Sequence, residues 1–199
     1  MTSEVHNIDC LEYMRTLPDN YFQLAIADPP YGIDIASHPF RNKQTQKEWD
    51  KTTPMDEFFA ELFRVSQEQM IWGGNYFGLP PNKHFIIWDK KQPFDFTSSM
   101  CEYCWSSLDK PAKMFSYNVG NELGKIHPTQ KPVALYAWML QKFAQEGWRI
   151  FDPMMGSQSS RIAAYKLGFD YVGCERFDRE CHGIYVNADG SKVQQQTLF

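Results

Sequence analysis

The chain has 199 residues, with 15 Phe, 10 Tyr and 6 Trp, and a formal net charge of −4. That length gives one domain room for a real core, and the charge excludes a globally basic nucleic-acid binder. No export signal and no membrane-spanning apolar run are read, so the cysteines at 10, 101, 104, 174 and 181 are expected as reduced thiols in a cytoplasmic protein without membrane contact.

Val5 to Asp9 reads as a short strand, followed by a short helix with Leu11, Met14 and Leu17 on one face. Pro18-Asp19-Asn20 is a turn. The apolar run Phe22 to Ala27 then reads as a buried strand. It must end at Asp28-Pro29-Pro30-Tyr31-Gly32, because two prolines cannot continue a sheet ladder. An acid, a rigid bend and an aromatic ring are thus presented at a strand's carboxyl end, where open α/β sheets bind ligands. Asp28 and the Pro29 carbonyl are two adjacent acceptors, suited to a substrate with two donors such as an exocyclic amino group. Tyr31 offers a flat face for a base.

Residues 32–52 are polar, basic and without period, which predicts a long loop of the kind that forms lids or binding elements. A helix follows, with Thr53 as N-cap, Pro54 at its first position and Asp56 completing a capping box. Met55, Phe58, Phe59, Leu62 and Phe63 form its core stripe. Gln69 to Trp72 predicts a strand that stops at Gly73-Gly74-Asn75, and Phe85 to Trp88 another that stops at Asp89. Met100–Trp105 and Lys113–Tyr117 are expected to form a hairpin. Cys101-x-x-Cys104 has no second ligand pair at metal-site spacing, so no metal is assigned.

His127-Pro128-Thr129-Gln130-Lys131-Pro132 opens a helix whose stripe runs Val133, Tyr136, Ala137, Leu140, Phe143 and Ala144, stopped by Gly147. Trp148–Phe151 is a strand ending at Asp152. Pro153-Met154-Met155-Gly156-Ser157-Gln158-Ser159-Ser160 leads into a helix over Arg161–Leu167, closed by Gly168. Tyr171–Cys174 is a strand ending at Glu175, and a last helix spans Asp178–Val186 before a polar tail, Asn187–Phe199. This alternation predicts an α/β, mostly parallel sheet in one domain over 1–199. The small-residue loop after Asp152 lets backbone approach a ligand near a helix N-terminus. About twenty residues on, Glu175 holds the usual place of a carboxylate that binds a ribose diol. Gly-x-Gly-x-x-Gly is absent, which disfavours a nicotinamide enzyme.

Asp-Pro-Pro-Tyr after a strand, His-Pro-Thr-Gln-Lys-Pro before a helix and Phe-Asp-Pro-x-x-Gly-Ser before another resemble the amino-methyltransferases of DNA. The order, acidic motif first and cofactor loop last, looks like the permuted beta class, over roughly residues 5–186. The resemblance implies a Rossmann-like class I methyltransferase fold with helices on both faces of the sheet, and S-adenosylmethionine as cofactor. It implies methyl transfer to a flipped base in DNA, at adenine N6, with cytosine N4 as the alternative. Asp in place of Ser at 28 tilts it to adenine.

Carried over by motif, Asp28, Pro29, Pro30 and Tyr31 would form the catalytic corner. Asp152, Met155, Gly156, Ser157, Gln158 and Ser159 would lie along the methionine part of the cofactor. Glu175 would hold the ribose hydroxyls with Arg176 beside it, and Asp9 and Cys10 would sit near the adenine. Lys131 and Pro132 would line the pocket, with Asp28 reaching it from the base side. The chemistry needs no metal: two acceptors on both N–H bonds localise the nitrogen lone pair for direct displacement.

The family loop usually reads Gly-Ser-Gly-Thr-Thr. Gln158 stands where the second Gly would permit positive φ, so either cofactor affinity falls or the loop follows another path. Residues 41–131 hold 12 Lys and Arg against 11 Asp and Glu, and the remainder 8 against 13, so an anionic partner is expected at the middle of the chain. The loops 32–52 and 106–126 are the candidate DNA contacts. Their small size predicts a short recognition sequence, weak specificity or a homodimer sharing the DNA. A cofactor-binding protein without activity, and methylation of RNA or of a protein amide, are the competing readings.

Overall fold

The computed structural model describes residues 1–32, 56–95, 99–118, 130–176 and 187–191. Its strands are β1 (Ser3–Asn7), β2 (Phe22–Ala27), β3 (Ser66–Trp72), β4 (Phe85–Asp89), β5 (Cys101–Ser106), β6 (Lys113–Ser116), β7 (Arg149–Asp152) and β8 (Asp170–Glu175). Its α-helices are α1 (Cys10–Arg15), α2 (Asp56–Val65), α3 (Val133–Phe143) and α4 (Ser159–Leu167). The strands form one sheet in the order β1-β8-β7-β2-β3-β5-β4-β6. Every neighbouring pair is parallel except those made by β5, which runs antiparallel to both β3 and β4. Consequently the carboxyl ends of seven strands, and the beginning of β5, share one edge of the sheet.

Alternation along β2 divides the core. Leu24 and Ile26 join Leu135, Tyr136, Met139 and Ala163 of α3 and α4 on one face. Ala25 and Ala27 join Met14, Phe58 and Leu62 of α1 and α2 on the other. Helices therefore cover both faces, as the α/β reading requires. Phe22 and Phe151 stack at 4.4 Å across β2 and β7, locking the two central strands together.

Three sequence expectations are corrected. The first strand ends at Asn7, not Asp9; Asp9 instead caps α1, its Oδ1 accepting from the amides of Leu11 (2.9 Å) and Glu12 (3.3 Å). Helix α3 ends at Phe143, and Gly147 serves the following turn at φ 82°. Most consequential, β5 and β6 are not a hairpin. The antiparallel partner of β5 on that side is β4, and β6 crosses over to lie parallel to β4 at the sheet edge. The cause is the chain just after β5. The Ser107 amide donates to Gln69 O (3.0 Å), its hydroxyl donates to Glu68 Oε2 (2.6 Å), and Leu108 is buried. These ties to β3 prevent an immediate reversal. The expected cap at Thr53, most of the loop 32–52, and the helix over Asp178–Val186 lie outside the described residues.

Candidate active site

Strand β2 delivers Asp28 to the carboxyl edge, and Pro29 is buried directly behind it. Asp28 Oδ1 accepts from Tyr31 OH at 2.8 Å. Asp28 Oδ2 lies 2.5 Å from Lys131 Nζ. Lys131 also donates to Tyr31 OH (3.1 Å), lies 3.2 Å from Glu102 Oε2, and sits over the Trp72 ring at 5.2 Å. Its side chain is 4% exposed. Burial opposes its charge, but Asp28 and Glu102 outweigh burial and hold the ammonium well above the usual lysine range. Glu102 in turn has Lys90 at 2.6 Å on Oε1. Burial pushes Glu102 up, yet the two lysines overcome it and bring its carboxyl down to about 2. The result is an alternating chain of charges: Asp28, Lys131, Glu102, Lys90.

Tyr31 is held on three sides. Tyr76, half exposed, stacks on its ring at 5.2 Å and 19°, and Phe77 meets it edge-on. Gly73, at φ 67°, packs against it so closely that a Cβ at 73 would overlap the ring. The glycine that ends β3 is thus what lets Tyr31 lie down beside Asp28.

The second cluster stands one strand away, since β7 is the neighbour of β2. Asp152 is 2% exposed. Its Oδ2 accepts from Ser160 OH (2.5 Å) and its Oδ1 from the Met154 amide (3.1 Å). Burial raises its carboxyl to about 7 against these two hydrogen bonds. Opposite Asp152 in register is Gly173, where a Cβ would meet Met155 Sδ at 2.8 Å, so the missing side chain admits Met155 against β8. Gly156 is exposed at φ 45°, and its amide donates to Glu175 Oε2 (2.8 Å). Arg176 places a guanidinium nitrogen 3.4 Å from Asp9 Oδ2. Cys10 lies at the start of α1 with its thiol pushed up to about 12 by burial and by Asp9. Ser157 and Ser159 hydroxyls pair at 3.1 Å. Gln158 does adopt the left-handed conformation, φ 64°, at the N-cap of α4. Its side chain is buried and accepts from Arg161 at 2.7 Å.

Adjacent residues join the two clusters. Gln130 reaches Ser159 Oγ (3.5 Å) while Lys131 turns to Asp28, and Pro132 then opens α3. The site residues singled out from the sequence therefore form two groups at the carboxyl edge, one past β2 with Lys131 from the entry to α3, the other past β7, β8 and β1.

A protein-family model described as DNA methylase, covering N6 and N4 amino-methyltransferases, matches residues 87–186. The chain belongs to that family. It is 25% identical over 225 residues to the type II methyltransferase M2.MboI of Moraxella bovis, covering 86% of this chain and 82% of that one. It is 24% identical to the type II methyltransferase M.HinfI of Haemophilus influenzae, covering 84% of this chain and 63% of that protein. The fold is similar to that of M1.HpyAVI solved with S-adenosylmethionine (TM-score 0.60, 18% identity, 88% and 94% covered). It is also similar to the cytosine-N4-specific PvuII DNA methyltransferase (TM-score 0.56, 12% identity, 95% and 90% covered).

In this DNA amino-methyltransferase the residues at β7 and β8 fit S-adenosylmethionine. Asp152 is a buried acid with no cation beside it among the described residues, and the cofactor carries cationic centres. Gly156 exposes backbone at the mouth of the loop. Glu102, Lys90, Gly73, Tyr76 and Gln130 were not picked out by sequence reasoning. The signals were faint: an acid inside an aromatic strand for Glu102, and a Gly-Gly pair at a strand end for Gly73. Cys101 and Cys104, three apart on β5, face opposite ways, one exposed and the other buried. Among the described residues no helix is long and apolar enough to cross a membrane.

Proposed function

We propose that this methylase modifies the exocyclic N6 of adenine in DNA, the base being turned out of the duplex to reach Asp28. The observation that carries this reading is the acid at the tip of β2, one strand from a buried acid that has no cation beside it among the described residues. Asp28 and the Pro29 carbonyl accept the two N–H bonds of the target amino group and favour a pyramidal, nucleophilic nitrogen. Asp28 also stabilises the positive charge that grows there. Tyr31, backed by Gly73 and stacked with Tyr76, gives an aromatic shelf for the base, and extrusion costs a few kcal/mol of unstacking.

Asp152, Met155, Gly156, Ser157, Gln158 and Ser159 hold the methionine part of S-adenosylmethionine, Glu175 with Arg176 the ribose, and Asp9 with Cys10 the adenine side. Pro132 closes the pocket where Gln130 meets Ser159. When bound, the cofactor supplies the methyl group. The exposed Lys91, just past the carboxyl end of β4 on the same edge as Asp28, suits a phosphate contact. The short recognition segments fit a short target sequence or a homodimer that shares the duplex, and sedimentation with and without DNA separates these. A single domain working in the cytoplasm, where DNA and cofactor meet, completes the reading.

Plasmid DNA and labelled cofactor test it. N6-methyladenine is the expected nucleoside in the hydrolysate, and N4-methylcytosine as sole product would overturn the adenine assignment. Asp28→Asn is expected to lower methyl transfer by roughly 10²–10³-fold, the cost of losing one preorganised stabiliser. Cofactor binding by calorimetry should stay within about threefold, since Asp28 acts on the base.

A further inference from the structure

Both oxygens of Asp28 are engaged, one by Tyr31 OH and the other by the Lys131 ammonium. An acceptor so paired is a poor partner for a nitrogen that is becoming positive. The ammonium cancels the field of Asp28 and, left in place, repels the charge that develops next to it. Glu102 offers a way out. Its Oε1 is taken by Lys90, but Oε2 is buried and accepts no hydrogen bond among the described residues. Lys131 Nζ lies 3.2 Å from that oxygen, a looser contact than its 2.5 Å approach to Asp28. A displacement of about half an ångström would bring the ammonium to charge-assisted bonding distance. That shift satisfies a buried acceptor and starts to loosen the hold on Asp28 Oδ2, which an arriving amino group completes by taking that oxygen. The burial of Lys131 between both acids and over the Trp72 ring confines it to these two acids and the Tyr31 hydroxyl.

We propose that Glu102 is a positioning residue that takes Lys131 over from Asp28 when the target amino group arrives. Asp28 Oδ2 is then released to accept from the amino group only in the loaded site, while Oδ1 keeps the Tyr31 hydroxyl. The inference rests on the reading of Asp28 as the acceptor of the amino group. It gives the inserted antiparallel strand β5 a part in the reaction, because β5 is what carries Glu102 to the active edge.

The test compares Glu102→Gln with the double variant Glu102→Gln/Lys131→Met at saturating DNA and S-adenosylmethionine. In the single variant Lys131 stays on Asp28. We expect kcat to fall about tenfold, less than for a direct stabiliser, with KM for both substrates within about twofold. Removing Lys131 as well frees Asp28 and is expected to restore several-fold of the lost kcat. A merely structural role for Glu102 predicts the reverse, a double variant slower than the single. An unchanged kcat in Glu102→Gln would also overturn the proposal.

Independently of how the variants fold, a crystal structure of the wild type with S-adenosylhomocysteine and a methylatable duplex should show Lys131 bonded to Glu102 Oε2. Lys131 still bonded to Asp28 beside the flipped base would overturn it. Asp28→Asn assayed alongside keeps the two readings apart. Full activity there removes the Asp28 reading itself, whereas loss there with a normal Glu102→Gln removes only the hand-over.

Discussion

Two neighbouring strands end in the same pattern and put it to opposite uses. Strand β2 runs out through Asp28-Pro29-Pro30-Tyr31-Gly32, and β7 through Asp152-Pro153-Met154-Met155-Gly156. Both turns close on a glycine at positive φ, 69° at Gly32 and 45° at Gly156. The first acid meets a lysine and a phenol; the second meets a serine hydroxyl and an amide, and no cation among the described residues. The difference follows from what the neighbouring strands bring. On the β2 side, β3, β5 and α3 supply aromatic rings, Glu102 and Lys131. On the β7 side, β8 supplies Gly173 and then Glu175, which is bonded to the Gly156 amide. A charge balanced by a lysine that a neighbouring acid can take over suits a neutral base. A charge left unbalanced is ready for a cationic ligand.

The largest blow to the contrast comes from Gly73, which shapes only the β2 side. Gly73→Ala adds a Cβ into the Tyr31 ring at a left-handed backbone position. Strain and overpacking together cost about 3 kcal/mol, a fall in Tm of about 10 °C for a chain this long. Tyr31 must leave Asp28, so methyl transfer should fall by about two orders of magnitude, as for loss of a catalytic contact. Titration with S-adenosylmethionine should still give near wild-type affinity. A variant that loses cofactor binding in parallel would show that the two corners are one unit.

Next in size is a pH effect confined to the β7 side. Burial raises Asp152 to about 7, with Ser160 and the Met154 amide pulling down and the charges of Asp28 and Glu175 pushing up. Its folded-state value therefore exceeds the unfolded one. The stability it contributes is complete below about pH 4 and is lost as the pH rises through about 7. A bound cation reverses that loss, because it favours the ionised form. The affinity for S-adenosylmethionine should rise roughly tenfold from pH 6 to pH 8, beyond any change shown by Asp152→Asn under the same titration. Thermal melts of the free protein should show Asp152→Asn gaining on the wild type at pH 8 more than at pH 5. Parallel profiles for both proteins would remove Asp152 from cofactor binding.

Much of this arrangement could be read in the chain. The acids at 28, 152 and 175 fall at or just past strand ends, as apolar runs broken by Pro or Gly announce. The stripe of α2 points where its periodicity says at Phe58 and Leu62, whereas the buried face of α3 runs through Leu135, Tyr136, Met139, Leu140 and Phe143 and leaves Val133, Ala137 and Ala144 partly buried. What stayed hidden depends on partners far apart in sequence. The strand around 101–106 reads as β, but its insertion between β3 and β4 is decided by Ser107 gripping Glu68 and Gln69. Likewise the motif around 130–132 announces a helix entry but not which way each side chain turns. Gln130 goes to Ser159 at the start of α4 and Lys131 to Asp28. Glu102 gives no local sign, since its meaning lies in Lys90 and Lys131, which reach it from β4 and from the entry to α3.

The smallest effect separates backbone from side chain in the loop between β7 and α4. Gln158 holds a left-handed conformation that favours glycine, at a cost of about 1–2 kcal/mol. Against this, its buried carbonyl accepts from Arg161, whose Nε donates to the Ser3 hydroxyl at 3.0 Å, tying α4 to β1. A hydrogen bond to a charged group is worth about 1.5–3 kcal/mol. Gln158→Gly relieves the first and forfeits the second, so its Tm should fall by only a few degrees. Gln158→Ala keeps the strain and also loses the bond, and should melt lower than Gln158→Gly by about 1 kcal/mol. Because the side chain turns away to Arg161 rather than into the loop's mouth at Gly156, both variants should bind S-adenosylmethionine within about threefold of wild type. A glycine variant that binds it ten times more tightly would show instead that Gln158 restrains the loop, and that the β7 corner is tuned by strain as the β2 corner is by charge.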